Sequence, residues 1–318
     1  MTCGLEHNRF CNLRVPANGR KCRSHDPRLP RSAGARPPTI PTPPKACDTH
    51  AHVFGPGARF PYAETRSYTP PDAPLEKYLH MLDTLGFARG GLVQGSAHGR
   101  DNSAMLDALA KNPARLRGVA VADETVPVAE LRRWDALGIR ALRFNHFFRD
   151  GKLHYQGGVT LENAKTLAPV MKDLGWHLQL WIDVKDLPDT IPILKSIGLP
   201  VVIDHMGRTD ARAGIGTPGF QSLVRLLGDG GCWVKMSGAH RLSTRAPDYP
   251  DARPFHEALV RANPDQLIWG TDWPHPRIEG EMPNAGHLLD LFNEWTPDAE
   301  VRRKILADNP ARLYGFAD

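Results

Sequence analysis

From Cys47 onward, short runs rich in Val, Ile and Leu alternate with longer helix-patterned segments, and this alternation limits the possible folds more than any other feature of the chain. Eight such runs can be placed: Cys47 to Phe54, Gly91 to Gly95, Leu116 to Ala122, Ile139 to Asn145, His177 to Asp183, Pro200 to His205, Cys232 to Ser237 and Gln266 to Asp272. Amphipathic stretches lie between them, such as Leu75 to Phe87, Asn102 to Asn112, Val128 to Leu137, Leu161 to Leu174 and Phe220 to Leu227, and two more close the chain, Gly286 to Trp295 and Asp298 to Ala307. Strands separated by helices pair in parallel through right-handed crossovers. Eight such units predict an α/β fold, a single (β/α)8 TIM-barrel domain over residues 46–318, with a doubly wound open sheet as the alternative.

Residues 1–45 have a different character. They carry nine Lys/Arg against Glu6 and Asp26, together with the Pro-rich run Pro37 to Pro44. Such a segment buries too little apolar surface to offset its ordering entropy, so a disordered or polyproline-like extension is expected, whether a real one or a start-site artefact. The net charge of +5 is therefore a property of this tail: the other 273 residues hold 31 basic and 33 acidic groups and present no bulk field for a nucleic acid. Cys3, Cys11, Cys22 and His25 fit no common zinc-finger spacing, and the five cysteines are odd in number and lack C-x-x-C spacing, so reduced thiols are expected. No apolar run reaches the ~18 residues of a membrane span and no secretory h-region is present, which points to a cytoplasmic protein with no membrane partner. The pattern specifies no oligomeric state.

Catalytic groups of a barrel collect where its strands end. Polar residues stand at those positions one strand after another: His50 and His52, then Ser96 and His98, then Arg143, Asn145 and Arg149, then Asp204, His205 and Arg208, then Lys235, Ser237 and Arg241, and finally Asp272 and His275. In Asp48-x-His50-x-His52 the two histidines are two apart in a strand and share a face, about 6–7 Å apart, as a working pair for a metal or a substrate. His177 opens the fifth strand, at the opposite end, and reads as structural. His80, inside the first helix, reads as a surface or packing residue.

These motifs carry a resemblance. Asp48-x-His50-x-His52, the run Ile203 to Arg208 and the run Trp269 to Pro276 resemble the TIM-barrel hydrolases of the amidohydrolase superfamily, in its amidohydrolase-2 branch. Val93 to Asn102 and Arg143 to Asn145 are more closely similar to the 2-pyrone-4,6-dicarboxylate lactonase family, and the similarity runs from about Ala46 to Tyr314. The resemblance implies hydrolysis of a small anionic lactone of the di- or tricarboxylate type in aromatic-compound catabolism. Asp272 would be the general base for water, His50, His52 and His205 would polarise the lactone carbonyl, and Tyr68, Ser96, His98, Arg143, Arg149, Arg208 and Arg241 would hold the substrate carboxylates. Guanidinium groups suit that task because their fork matches a carboxylate bidentately. Two departures stand out: Trp181 where that family has a tyrosine, and Arg277 where it has an asparagine after Pro-His-Pro. Both change the shape and charge of the pocket, and leave room for another anionic lactone, such as a sulfomuconolactone or a sugar-acid lactone.

Metal-dependent members of the superfamily add a ligand on the fifth strand, which here reads His177 to Asp183 and supplies no secure match. Catalysis without a metal is favoured. A zinc or other divalent ion on His50, His52, His205 and Asp272 stays open. The competing readings are a zinc-dependent lactonase, a metal-dependent decarboxylase, which the missing fifth-strand histidine disfavours, and a non-enzymatic anion-binding barrel, which intact Asp272 with three histidines disfavours. Gly214 to Gly219 matches G-x-G-x-x-G literally but follows a loop and contains Pro218, so it does not read as a dinucleotide site. Ser96 is one place early for a nucleophile elbow, and Cys232 reads as core.

Overall fold

The computed structural model describes residues 34–149, 151–153, 155, 158–278 and 281–317. Eight parallel strands form a nearly closed barrel in chain order: β1 Cys47–Ala51, β2 Arg89–Val93, β3 Leu116–Ala120, β4 Ile139–His146, β5 His177–Ile182, β6 Val201–Ile203, β7 Trp233–Lys235 and β8 Leu267–Ile268. The TIM barrel expected from the alternation is the fold observed. Every expected strand is present and most are shorter, because the chain leaves the sheet where its polar residues begin. His205 and Asp272, both expected inside strands, have φ of 50° and 62°, which no strand can accommodate.

Between β8 and β1 the closure is made by the segment that follows β8. Thr49 N–H donates to the Trp269 carbonyl at 3.0 Å, Asp272 N–H to the His50 carbonyl at 2.7 Å, and His52 N–H to the Trp273 carbonyl at 2.8 Å. A side chain at Gly270 would stand 2.7 Å from His50 Cβ, so the approach that places Asp272 against the histidines requires glycine there. Asp48 locks the same seam, accepting from Thr271 N–H and Oγ–H, both at 2.8 Å, and from Tyr78 O–H at 3.2 Å. Burial pushes its carboxyl up to about 6 in spite of these bonds.

The helices lie where their apolar periodicity placed them: Leu75–Leu85, Ser103–Lys111, Val128–Ala136, Leu161–Asp173, Pro218–Gly228 and Ala285–Trp295. The stretch read as one helix from Asp298 to Ala307 is instead an α-helix, Ala299–Arg303, running through a wide π turn, Lys304–Asp308, into a further helix, Asn309–Tyr314. Pro310 has no N–H for the ladder there, which fits a widened turn at that point. A hairpin of Phe148–Arg149 and Lys152–Leu153 follows β4.

Within the extension expected to be disordered or polyproline-like, residues 34–45 are fastened to the folded domain. Thr39 N–H and Oγ–H both donate to Asp290 Oδ1 at 2.7 Å, Arg36 Nη2 lies 2.6 Å from Asp290 Oδ2, and Thr42 Oγ–H donates to the Leu85 carbonyl at 2.5 Å. Polar side chains and main-chain bonds fasten this strap without an apolar pattern. Cys3, Cys11, Cys22 and His25 lie outside the described residues. No described helix is long and apolar enough to cross a membrane.

Candidate active site

At the C-terminal end of the barrel lies a cavity of about 340 Å³. Its wall includes His52, His205, His240 and Asp272, the arginines Arg143, Arg208, Arg241 and Arg277, and the side chains of Tyr68, Ser96, Asn145, Tyr155 and Trp181. His50 lies just beneath, fully buried, its ring centroid 5.1 Å from that of His52 and 4.5 Å from that of His205. The H-x-H pair therefore does converge on one place.

Asp272 is held asymmetrically. Arg241 Nε and Nη2 both donate to its Oδ2 at 2.7 Å, and His240 Nε2 lies 3.2 Å from the same oxygen. Oδ1 turns the other way, 3.5 Å from His52 Nε2 and 3.9 Å from His50 Nε2. Burial works against this carboxylate, but the charge of Arg241 and the facing histidines outweigh it and hold the group well below the usual range. It is an anion at neutral pH.

At His50 and His205 burial prevails and disfavours the charged ring. Burial first, then the charge of Lys235, pushes His50 down to about 3, and burial lowers His205 well below its ordinary value. His52 Nδ1 lies 2.8 Å from the Val93 carbonyl, which can only accept, so Nδ1 carries the hydrogen and Nε2 of the neutral ring presents a lone pair. His205 Nδ1 meets Ser237 Oγ at 2.9 Å.

Behind this layer runs a buried polar chain. Asp204 Oδ2 accepts from Arg143 Nε and Nη2 at 3.0 and 2.9 Å and from Gln179 Nε2 at 3.2 Å, and Lys235 Nζ donates to Gln179 Oε1 at 2.7 Å and to the Thr49 carbonyl at 2.9 Å. Burial lowers Lys235 to about 8, and the charge of Arg143 keeps Asp204 well below the usual range against its own burial.

Comparison with known proteins decides the family. The amidohydrolase family model matches residues 47–316. The chain belongs to the amidohydrolase family. It is 38% identical to the 4-sulfomuconolactone hydrolase of Rhizobium radiobacter, over 90% of this chain and 95% of that protein. It is 37% identical to the 2-pyrone-4,6-dicarboxylate hydrolase of Comamonas testosteroni, over 87% and 92%. A solved Pseudomonas putida structure named for 2-pyrone-4,6-dicarboxylic acid hydrolase superposes with a TM-score of 0.75 at 37% identity, covering 86% of this chain and 98% of that one.

Most of the residues expected at the site of this amidohydrolase meet there, with differences in detail. Tyr68 and Ser96 line the cavity, and the Ser96 Oγ–H donates to Tyr68 Oη at 3.3 Å. Arg208 and Arg277 line it too, their guanidiniums 5.6 Å from the Phe147 ring and 5.9 Å from the Tyr68 ring. Arg241 is spent on Asp272 and on the Pro276 carbonyl at 2.8 Å, and Arg143 is shared with Asp204. His98 does not reach the cavity: its Nδ1 faces the Pro61 carbonyl at 3.1 Å, its Nε2 accepts from Gly55 N–H at 3.4 Å, and its ring stacks on Tyr62. It braces the loop that carries Ser96. Arg149 sits in the hairpin after β4, and its side chain lies outside the described residues.

Sequence reasoning missed His240, Tyr155 and the joint role of Gln179 with Lys235. His240 directly precedes Arg241 beyond β7 and was within reach of the strand-end rule. Tyr155, whose hydroxyl donates to the Ser96 carbonyl at 2.8 Å, comes from a long connection with no periodic signal.

His50, His52 and Asp272 form one group of potential metal ligands, and His50, Asp204 and His205 another, the donor atoms of each lying within 4.8 Å of one another. Spacings of 3.5 and 3.9 Å suit a zinc ion bound at ~2.0–2.2 Å. The hydrogen bonding does not fit. Lys235 Nζ, which can only donate, and Asp204 Oδ1, which can only accept, both lie 3.4 Å from His50 Nδ1, but only the Lys235 contact has hydrogen-bond geometry, and that contact favours the ring hydrogen on Nε2, where a metal needs a lone pair.

Proposed function

We propose that the protein hydrolyses a small lactone bearing carboxylate or other anionic groups, as a step in the breakdown of aromatic compounds. The observation that carries the reading is the orientation of Asp272: one oxygen is anchored by Arg241 and His240, and the other is turned toward the paired histidines beneath an arginine-lined cavity. The names of the lactone-hydrolysing relatives support it.

Arg208 and Arg277, with Arg143, hold the anionic groups of the substrate, and Trp181 offers a flat wall to an unsaturated ring. The lactone carbonyl oxygen lies toward the His50 Nε2–H and His205. Two acceptors, Asp272 Oδ1 and His52 Nε2, stand 3.5 Å apart, a spacing that suits a water donating to both. That water attacks the carbonyl carbon as its proton passes to Asp272; a base this weak takes the proton only as the new C–O bond forms. The His50 N–H, already aimed at the oxyanion, stabilises it. Collapse breaks the ring C–O bond, and the proton on Asp272 goes to the departing ring oxygen. The buried free thiols Cys47 and Cys232 agree with a cytoplasmic setting.

The test is a pH-indicator screen of anionic lactones, pyrone dicarboxylates, sulfomuconolactones and sugar-acid lactones among them, on the native protein and on Arg277→Asn. Turnover of at least one, with the preference moved by the substitution, is the expected result. Absence of turnover across the whole set would overturn the reading.

A further inference from the structure

Lys235 is fully buried within the barrel and touches no part of the cavity, so substrate binding leaves it without a task. An ammonium has three hydrogens and no lone pair. Two of them go to the Thr49 carbonyl and Gln179 Oε1, and the third lies between His50 Nδ1 at 3.4 Å and Asp204 Oδ1 at 3.8 Å, the nitrogen being the nearer and the one in hydrogen-bond geometry. Asp204 Oδ1 is equally far from that nitrogen, 3.4 Å, yet it is a buried oxygen with no hydrogen-bond partner among the described residues. This geometry points to His50 Nδ1 as the acceptor for Lys235, with the ring hydrogen on Nε2, itself a buried atom without a hydrogen-bond partner among the described residues. His52 is arranged in the opposite sense, because the Val93 carbonyl takes its Nδ1 hydrogen.

We propose that Lys235 is a positioning residue which, through His50, divides the H-x-H pair into a donor, His50 Nε2–H, and an acceptor, His52 Nε2. Two histidines that are interchangeable by sequence thereby take unlike jobs. The catalytic consequence rests on the lactonase reading: an oxyanion needs the donor and a water needs the acceptor. The same division works against a divalent ion, which requires lone pairs from both rings. Without Lys235 the hydrogen of His50 is free to move to Nδ1, toward Asp204 Oδ1. Three lone-pair donors then face one another across 3.5 and 3.9 Å.

Long-range 1H–15N spectra of protein labelled on histidine nitrogen read the tautomers directly, with His50 and His52 assigned by the signals lost in His50→Gln and His52→Gln. In the native protein His50 is expected to carry its hydrogen on Nε2 and His52 on Nδ1. In Lys235→Met the His50 pattern reverses and that of His52 stays. Zinc binding followed by calorimetry tightens by about tenfold or more in Lys235→Met, the size of effect that orienting partners of metal ligands produce. A native His50 protonated on Nδ1 overturns the proposal, and so does a folded Lys235→Met with the His50 tautomer unchanged. If Lys235→Met does not fold, as judged by circular dichroism, the native spectrum alone decides. None of these readouts needs turnover, so a failed lactone screen sinks the hydrolase reading without touching the tautomer assignment.

Discussion

His177 and His205 occupy opposite ends of the same barrel and are almost equally buried, at 2% and 4% exposure. Burial pushes both down, His177 to about 3 and His205 well below its ordinary value. His177 opens β5, packs edge-on against Tyr314 at 5.2 Å, and has no hydrogen-bond partner for its Nε2 among the described residues. His205 follows β6 in the left-handed region, meets Ser237, lies beside His50, and faces open space. A buried neutral imidazole therefore says little by itself. Function appears where such rings converge with an anion held in a fixed orientation beside a cavity.

The largest effect that this contrast predicts is at Asp272. Asp272→Asn keeps the shape and the Oδ contact with Arg241 but removes the base, and kcat should fall by at least ~10² in a protein that is still folded by circular dichroism. Calorimetric binding of an unreactive dicarboxylate should persist. An unchanged rate removes Asp272 from the mechanism and leaves the upper end of the barrel no more special than the lower.

Next in size is Arg208→Gln. A charged hydrogen bond to a substrate anion contributes roughly 1.5–3 kcal/mol, so KM should rise by ~10-fold or more while kcat changes little. The matching change at Arg143 is expected to lower stability as well, because Asp204 loses its guanidinium inside the barrel. Equal melting temperatures for the two variants would break that distinction.

Arg241→Gln sharpens the comparison through pH. The guanidinium is the largest influence lowering the Asp272 pKa, so its loss raises that pKa. Since the working form is the anion, which is lost as pH falls, the acid limb of kcat/KM should move to higher pH. A limb that stays in place shows that another group sets it.

Much of this is legible in the sequence. The alternation of apolar runs and helices fixes parallel pairing, and the rule that polar groups gather at strand ends picks out His50, His52, Arg143, His205, Arg208, Arg241 and Asp272 as neighbours. Which atom each side chain presents was not legible, because that depends on contacts far apart in sequence. Arg241 reads as a substrate clamp until Asp272 is seen across a separation of 31 residues, and His98 until Tyr62 and Pro61 enclose it. The strap from residue 34 to 45 was missed because it is held by Asp290 and by main-chain groups, and no periodicity records that.

The smallest effect is predicted at the lower end. The His177 ring meets Tyr314, a member of an apolar cluster with Cys47, Val93, Val119, Val202 and Phe316, and its Nε2 has no hydrogen-bond partner among the described residues. Leucine is near it in volume and carries no polar atom, and removing an unsatisfied buried group offsets what is lost in ring packing. His177→Leu should leave kcat and KM within about twofold of native and shift the unfolding free energy by about 1 kcal/mol or less in either direction. The same leucine placed at His205 removes a ring from the cavity wall and should abolish most of the activity. If His177→Leu instead costs activity as heavily as His205→Leu, the two ends of the barrel are coupled and the division between them is wrong. Lys235, whose charge acts on both His50 and His177, is the residue through which such a coupling would run.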